Sequence, residues 1–138
     1  MIEGVQLTPQ KIITINDGDV LHGLKATDSS FHGFGEAYFS TVNKNSVKAW
    51  KKHTQMVLNF LVPVGSIKFV IHDTNQPGLF DEITLSRENY QRLTVAPGLW
   101  VGFTSDNEGE NLLLNVASIP HDPDEIDRLP PDAFGYTW

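Results

Sequence analysis

The seven residues Val47-Lys48-Ala49-Trp50-Lys51-Lys52-His53 hold three lysines and a histidine with no acid among them. Residues 44–53 carry four of the ten basic side chains in a chain of formal net charge −7, so they form a local positive island. Read as a strand, period two puts Val47, Ala49, Lys51 and His53 on one face and Lys48, Trp50 and Lys52 on the other. Val47 and Ala49 suit a core, so Lys51 and His53 are expected to point inward beside them. Burial favours the neutral form of either group, which readies it for proton transfer. The plainer alternative is a solvated edge strand whose lysines block aggregation. A phosphate or nucleotide pocket is the other.

The remaining candidates are weaker. His22 and His32 lie in glycine-flanked stretches, His72-Asp73 ends an apolar run, and His121 sits between Pro120 and Asp122. Tyr38, Trp50, Trp100 and Phe103 could stack on a base or sugar ring, although such residues more often pack a core. Asn59 and Asn115 interrupt apolar runs, and a buried Asn needs partners, which are either structural or a ligand.

These residues must be positioned by strands. Ile67, Phe69 and Ile71 alternate with Lys68, Val70 and His72, and Leu112, Leu114 and Val116 alternate with Leu113, Asn115 and Ala117. Met56–Val62 is almost continuously apolar, as in a strand buried on both faces. Turn signals such as Asn16-Asp17-Gly18, Pro63-Val64-Gly65, Ala96-Pro97-Gly98 and the run Ser105–Gly109 separate the runs at about 8–12 residues, the spacing of an all-β sandwich or barrel. Strands are expected near 11–15, 19–24, 36–42, 46–52, 56–62, 66–72, 80–85, 91–95, 99–103 and 111–118. Ser86–Tyr90 is expected to form one helical turn capped by Ser86.

The 138 residues suit one domain, 1–138, with enough chain for a real core. Five acids, one arginine and three prolines mark 121–138 as an irregular tail that wraps the surface. Phe134, Tyr136 and Trp138 are too apolar for a free end, so they should dock on this barrel or on a second subunit. The absence of Cys excludes disulfides, thiolate zinc sites and a Cys nucleophile, and suits a reducing cytoplasm. The acidic balance argues against nucleic acid as a partner. No apolar run is long enough for a membrane span. The segment MIEGVQLTPQK lacks the basic-then-apolar pattern of a secretory signal.

Between Gly18 and Pro123 the chain resembles the cupins related to dTDP-4-dehydrorhamnose 3,5-epimerase, including the dTDP-sugar 3,4-ketoisomerases. The resemblance rests on Gly33-Phe34-Gly35-Glu36-Ala37-Tyr38-Phe39-Ser40-Thr41 and the basic island Val47–His53. It continues through Pro63-Val64-Gly65-Ser66-Ile67-Lys68-Phe69-Val70-Ile71-His72-Asp73, Leu85-Ser86-Arg87-Glu88-Asn89 and Ala96-Pro97-Gly98-Leu99-Trp100-Val101-Gly102-Phe103. It closes with Leu113-Leu114-Asn115-Val116 and His121-Asp122-Pro123. It implies a double-stranded β-helix (jelly roll), usually dimeric, that binds a nucleotide-diphosphate sugar in the barrel mouth. It also implies a metal-independent, cofactor-free reaction in which a His takes a proton beside a C4 ketone and a Tyr returns one.

The departures fall on the chemistry. Lys51 aligns with the family's catalytic His, His53 keeps the second His, and Val101 replaces the His after Pro-Gly-x-Trp. With Leu58 near the Glu position, the metal-cupin ligand set is also gone, so no metal is expected. Three readings follow. The first is a 4-keto-sugar epimerase or ketoisomerase of deoxysugar or polysaccharide biosynthesis, with Lys51 or His53 as base and His121 or Tyr38 as acid. In that reading Lys48 and Lys52 are candidates for the diphosphate, but the pair Lys51 and His53 and the pair Lys48 and Lys52 cannot all face one pocket unless the strand bulges. The second is a non-catalytic binder in which Trp50, Trp100, Glu36 and Asn59 still shape the pocket, Asn115 being a further substrate-binding candidate. The third is a closed structural jelly roll, favoured by Met56, Leu58 and Val101.

Overall fold

A computed structural model describes all 138 residues. Twelve strands form in chain order: β1 (Val5–Pro9), β2 (Ile12–Ile13), β3 (Val20–Leu21), β4 (Glu36–Thr41), β5 (Val47–His53), β6 (Leu58–Val64), β7 (Ser66–His72), β8 (Phe80–Ser86), β9 (Gln91–Val95), β10 (Trp100–Thr104), β11 (Leu112–Ala117) and β12 (Ile126–Arg128). Two antiparallel five-stranded sheets face each other. One has the order β1-β9-β6-β11-β4, the other β12-β5-β10-β7-β8, and β2 and β3 form a separate ribbon. This is the all-β architecture expected from the strand spacing, in the double-stranded β-helix form that the family resemblance implies. No helix is long and apolar enough to cross a membrane.

The core lies between the sheets and follows period two. Ile67, Phe69 and Ile71 of β7 are fully buried against Phe60 of β6 and Leu93 of β9. Phe60 and Phe69 stack at 5.1 Å. Truncating Phe69 to Ala would cost about 3–5 kcal/mol. The turn into β7 needs Gly65: its φ is +78°, and a Cβ there would meet the Glu110 carbonyl oxygen at 2.3 Å.

The outer face of the second sheet is covered by the tail. Phe134, Tyr136 and Trp138 pack on Trp50, Val70, Trp100 and Phe80, so the aromatic end docks on its own barrel. The tail is more regular than its composition suggests. A 3₁₀ turn at Pro123–Glu125, capped by Asp122, leads into β12, which adds to the edge of β5. Strand β1 also lies outside the expected set, because Val5 and Leu7 are its only alternating apolar pair and its pairing with β9 defines it. Ser86–Tyr90 is a turn rather than a helical one: Asn89 N–H reaches Ser86 Oγ at 3.1 Å, but the chain reverses straight into β9.

Candidate active site

Strand β5 carries a bulge. On β10, Val101 pairs with Lys51 and Phe103 with Lys48, so Gly102 alone faces both Ala49 and Trp50. The extra residue breaks the period of two. Lys48 and Lys51 therefore stand across from two inward-facing residues and turn inward with them. The expected division of β5 is corrected accordingly. Lys48, Lys51 and His53 share one cavity, whereas Val47 turns to the outer face. Lys52 pairs outside with Asp127 at 3.0 Å and lies 5.1 Å from the Trp100 ring.

The cavity, about 350 Å³, opens between the sheets. Its apolar wall includes Leu58, Phe60, Val101, Phe103 and Leu113, and its polar wall has Tyr38, Ser40, Lys48, Lys51, His53 and Arg128. The apolar substitutions at Leu58 and Val101 line the cavity without closing it.

His53 is buried, and its Nδ1 lies 2.6 Å from Glu125 Oε1. Glu125 is itself 4% exposed. Its second oxygen accepts the N–H groups of Thr54 at 3.0 Å and Gln55 at 3.2 Å. Burial alone would raise the Glu125 carboxyl. The His53 hydrogen bond and the backbone N–H groups of Gln55 and Met56 outweigh it and hold the carboxyl below its ordinary value. A carboxylate at Nδ1 places the hydrogen of a neutral imidazole there and leaves the Nε2 lone pair free.

Tyr38 stands on β4, in the opposite sheet from His53. Asn115 Nδ2 donates to the Tyr38 hydroxyl at 3.0 Å. The phenol's own hydrogen is thus free for the cavity, and the Asn115 bond would stabilise a phenolate. Asn115 is oriented by accepting the Asn59 backbone N–H at 3.2 Å. The Asn59 side chain is bound to Thr94 Oγ1 at 2.6 Å and to the Ser30 carbonyl at 3.2 Å. Both asparagines are therefore fully engaged within the protein, and their placement orients Tyr38.

Three cations face this space. Lys48 Nζ donates to the Thr41 carbonyl at 2.8 Å, while Lys51 and Arg128 form no ion pair. Loss of hydrating water in the cavity, followed by repulsion from Arg128 and Lys48, lowers the Lys51 pKa from the ordinary 10.5; Glu125 opposes the shift. No cluster of three or more His, Asp or Glu side chains could hold a metal.

Besides Lys52, four expected site residues lie away from the cavity or only border it. Trp100 projects from the outer face of β10 onto Phe134, because Val101 and Phe103 take the inward positions. Trp50 borders the cavity, but its ring lies in the outer aromatic cluster and its N–H donates to the Pro131 carbonyl at 3.1 Å. Glu36 begins β4 two residues before Tyr38 and is not on the cavity wall. His121 is exposed on the link into the 3₁₀ turn, which carries Glu125 inward instead. Glu125 and Arg128 are the residues that sequence reasoning missed. The signal was a single carboxylate two positions after Pro123, hidden among four other tail acids.

Comparison with known proteins finds sugar-nucleotide isomerases and epimerases among those similar to this chain. A solved dTDP-sugar isomerase from Desulfovibrio desulfuricans G20 is 39% identical, covering 99% of this chain and 91% of that one, with a TM-score of 0.92. The sugar 3,4-ketoisomerase QdtA of Thermoanaerobacterium thermosaccharolyticum, solved with TDP, shares the fold: TM-score 0.80 at 22% identity, over 94% of this chain and 90% of that one. A probable low-salt glycan biosynthesis epimerase, Agl13 of Haloferax volcanii, is 28% identical over 104 residues, 70% of this chain; the match spans 66% of that protein's length. No protein-family model matches the chain. The chain belongs to the cupin family of dTDP-sugar isomerases.

Proposed function

We propose that this protein is a nucleotide-diphosphate 4-keto-sugar epimerase or ketoisomerase, acting in deoxysugar or polysaccharide biosynthesis. The observation that carries the reading is buried His53 of one sheet, paired with Glu125 of the 3₁₀ turn, sharing a cavity with the Tyr38 phenol of the other sheet. A ketone acidifies the neighbouring C–H, so a neutral imidazole suffices as base. His53 Nε2 takes that proton. The C–H electron pair becomes the enolate double bond, and the carbonyl π pair moves to O4. Lys51 stabilises the developing oxyanion as a positive donor in a partly desolvated wall. In epimerisation, Tyr38 returns a proton to the same carbon from the opposite face. In ketoisomerisation, the proton goes to C4, the C3 hydroxyl loses its own proton and O4 gains one, which moves the ketone to C3.

Lys48 and Arg128 complement a diphosphate at the mouth. The nucleotide favoured is dTDP, since the relative at 39% identity is described as a dTDP-sugar isomerase. The reading is metal-independent: His53 Nδ1 is committed to Glu125, and the adjacent cations would repel a divalent ion. The Cys-free composition suits a reducing cytoplasm. A homodimer is supported by the apolar outer face of the first sheet, where Phe39 is 64% exposed beside half-buried Leu112, Leu114 and Val116.

Incubation with dTDP-4-keto-6-deoxy sugars in D₂O tests the reading. Deuterium should enter the carbon next to the ketone, and His53→Ala should abolish the uptake. The chain should also be stabilised by dTDP more than by UDP, GDP or CDP, by about 2.7 kcal/mol at 100 times the dissociation constant. No uptake and no stabilisation by any nucleotide would overturn it.

A further inference from the structure

The bulge that aims Lys48, Lys51 and His53 is held from outside the cavity. Both backbone groups of Trp50 are bound by one residue of the tail: Trp50 N–H donates to Leu129 O at 2.8 Å, and Leu129 N–H donates to Trp50 O at 3.1 Å. Two residues on, the Pro131 carbonyl accepts two indole N–H groups, from Trp50 at 3.1 Å and Trp138 at 3.2 Å. One carbonyl oxygen has two lone pairs and can satisfy both. The two indole rings lie 5.0 Å apart. The Trp138 ring covers the bulge itself. A Cβ placed on Gly102, the residue opposite the bulge, would meet both the Trp138 ring and the Ala49 Cβ at 2.6 Å. The same length of chain brings Glu125 to His53 and Arg128 to the cavity wall.

We propose that residues 129–138 are a positioning strap: by receiving the indoles of Trp50 and Trp138 on the Pro131 carbonyl, the strap holds the β5 bulge in the shape that turns Lys48, Lys51 and His53 into the cavity. Trp50, Trp138 and Pro131 act through the bulge and are positioning residues. The inference rests on the catalytic reading of that cavity. It goes beyond that reading because it assigns the tail a share in catalysis rather than in cover alone.

The test uses the full chain with Trp138→Ala and two readouts. The first is steady-state turnover of the 4-keto sugar. A strap predicts a fall in kcat of about 10- to 100-fold, with KM changed by less than about threefold, since the nucleotide contacts remain. The second needs no substrate: NMR titration of the Lys51 side chain. Lys51 is faced by Lys48 and His53 on β5, Tyr38 on β4, and Arg128 and Glu125 on the tail. A released bulge should carry it away from Arg128 and toward water, so its titration should move up toward 10.5. Tyr136→Phe is the comparison. Tyr136 lies within the strap, but Phe keeps its ring against Trp50 and Trp138 and loses only the hydroxyl bonds to Lys68 and Glu82, so the Pro131 contacts stay and melting temperature should fall with kcat unchanged. If Trp138→Ala does not fold, Trp138→Leu takes its place, keeping apolar bulk over Gly102 and losing the N–H.

Movement of both readouts with Tyr136→Phe silent supports the strap. An unmoved Lys51 titration in the folded variant overturns it, as does an unchanged kcat or an equal loss in Tyr136→Phe. If the wild type turns over no 4-keto sugar, the functional reading fails and the Lys51 titration still decides the strap.

Discussion

Glu125 and His53, 72 positions apart in the chain, meet through a 2.6 Å hydrogen bond between two side chains that are each almost fully buried. The bond orients the imidazole and keeps its Nε2 toward the cavity. Replacing Glu125 by Gln keeps the shape but can present an N–H to Nδ1, which would reverse the tautomer. Glu125→Gln should therefore lower kcat by about 10²-fold or more, and His53→Ala by about 10²- to 10⁴-fold. Glu125→Ala should also cost about 3–5 kcal/mol of stability, because His53 and two backbone N–H groups lose their partner. Turnover and urea unfolding of the three variants check this.

The same pair makes stability depend on acid. The folded Glu125 carboxyl titrates below its ordinary 4.5. Its contribution is therefore fully present above pH 4.5 and is lost as the pH falls through the lower folded value. In His53→Ala the bond that most depresses the carboxyl is gone, so the acid-induced loss assigned to this group should shrink. Melting temperature from pH 6 down to pH 3, wild type against variant, reads the difference.

Tyr38 should separate exchange from inversion. Tyr38→Phe leaves His53 able to remove the proton but nothing to return one from the opposite face. Product formation should fall by about 10²- to 10⁴-fold, while deuterium exchange with retained configuration persists at a measurable rate. Proton NMR of the sugar in D₂O distinguishes the two. Equal loss of both would mean that Tyr38 serves binding rather than protonation.

Lys51 sits where charge is unfavourable, and function and stability should pull apart there. Its ammonium is lost as the pH rises through a value below 10.5, so kcat/KM should decline on the basic side earlier than an ordinary lysine would allow. Lys51→Arg should move that decline upward. Lys51→Met removes the repulsion with Arg128 and Lys48 and should raise the melting temperature while lowering kcat. A pH–rate profile and a thermal melt on both variants suffice.

Phe39 tests the dimer. Phe39→Glu places a charge on the exposed apolar face of β4, where it loses only a cross-strand contact with Leu114 in the monomer. Light scattering after size-exclusion chromatography should show the wild type at twice the chain mass and the variant at the chain mass. A monomeric wild type would remove the dimer from the reading.

Most of the barrel was legible because its strands obey one period. The alternation in β7 set Phe69 with Ile67 and Ile71 on one face, which is the core face, whereas in β11 it marked two faces and only the packing decided that Leu113, Asn115 and Ala117 are the buried ones. The strands that escaped, β1 and β12, are defined by what they pair with. The site was half legible. His53 and Lys51 stood out as a basic pair beside small apolar residues, and Tyr38 was singled out as an aromatic. Period two then misassigned Lys48 and Val47, because a bulge cannot be read from β5 alone: it exists only in the register with β10.

The chain's own order of residues determined an all-β barrel, a basic patch on one strand and an acidic, aromatic-ended tail, since local periodicity, turn residues and charge are properties of neighbours in sequence. Which acid meets His53, which cations share a cavity, and that Trp100 faces away from it were decided by tertiary structure. Those outcomes depend on pairings between segments far apart in the chain, where a shift of one residue in register moves a side chain from the cavity to the opposite face of the sheet.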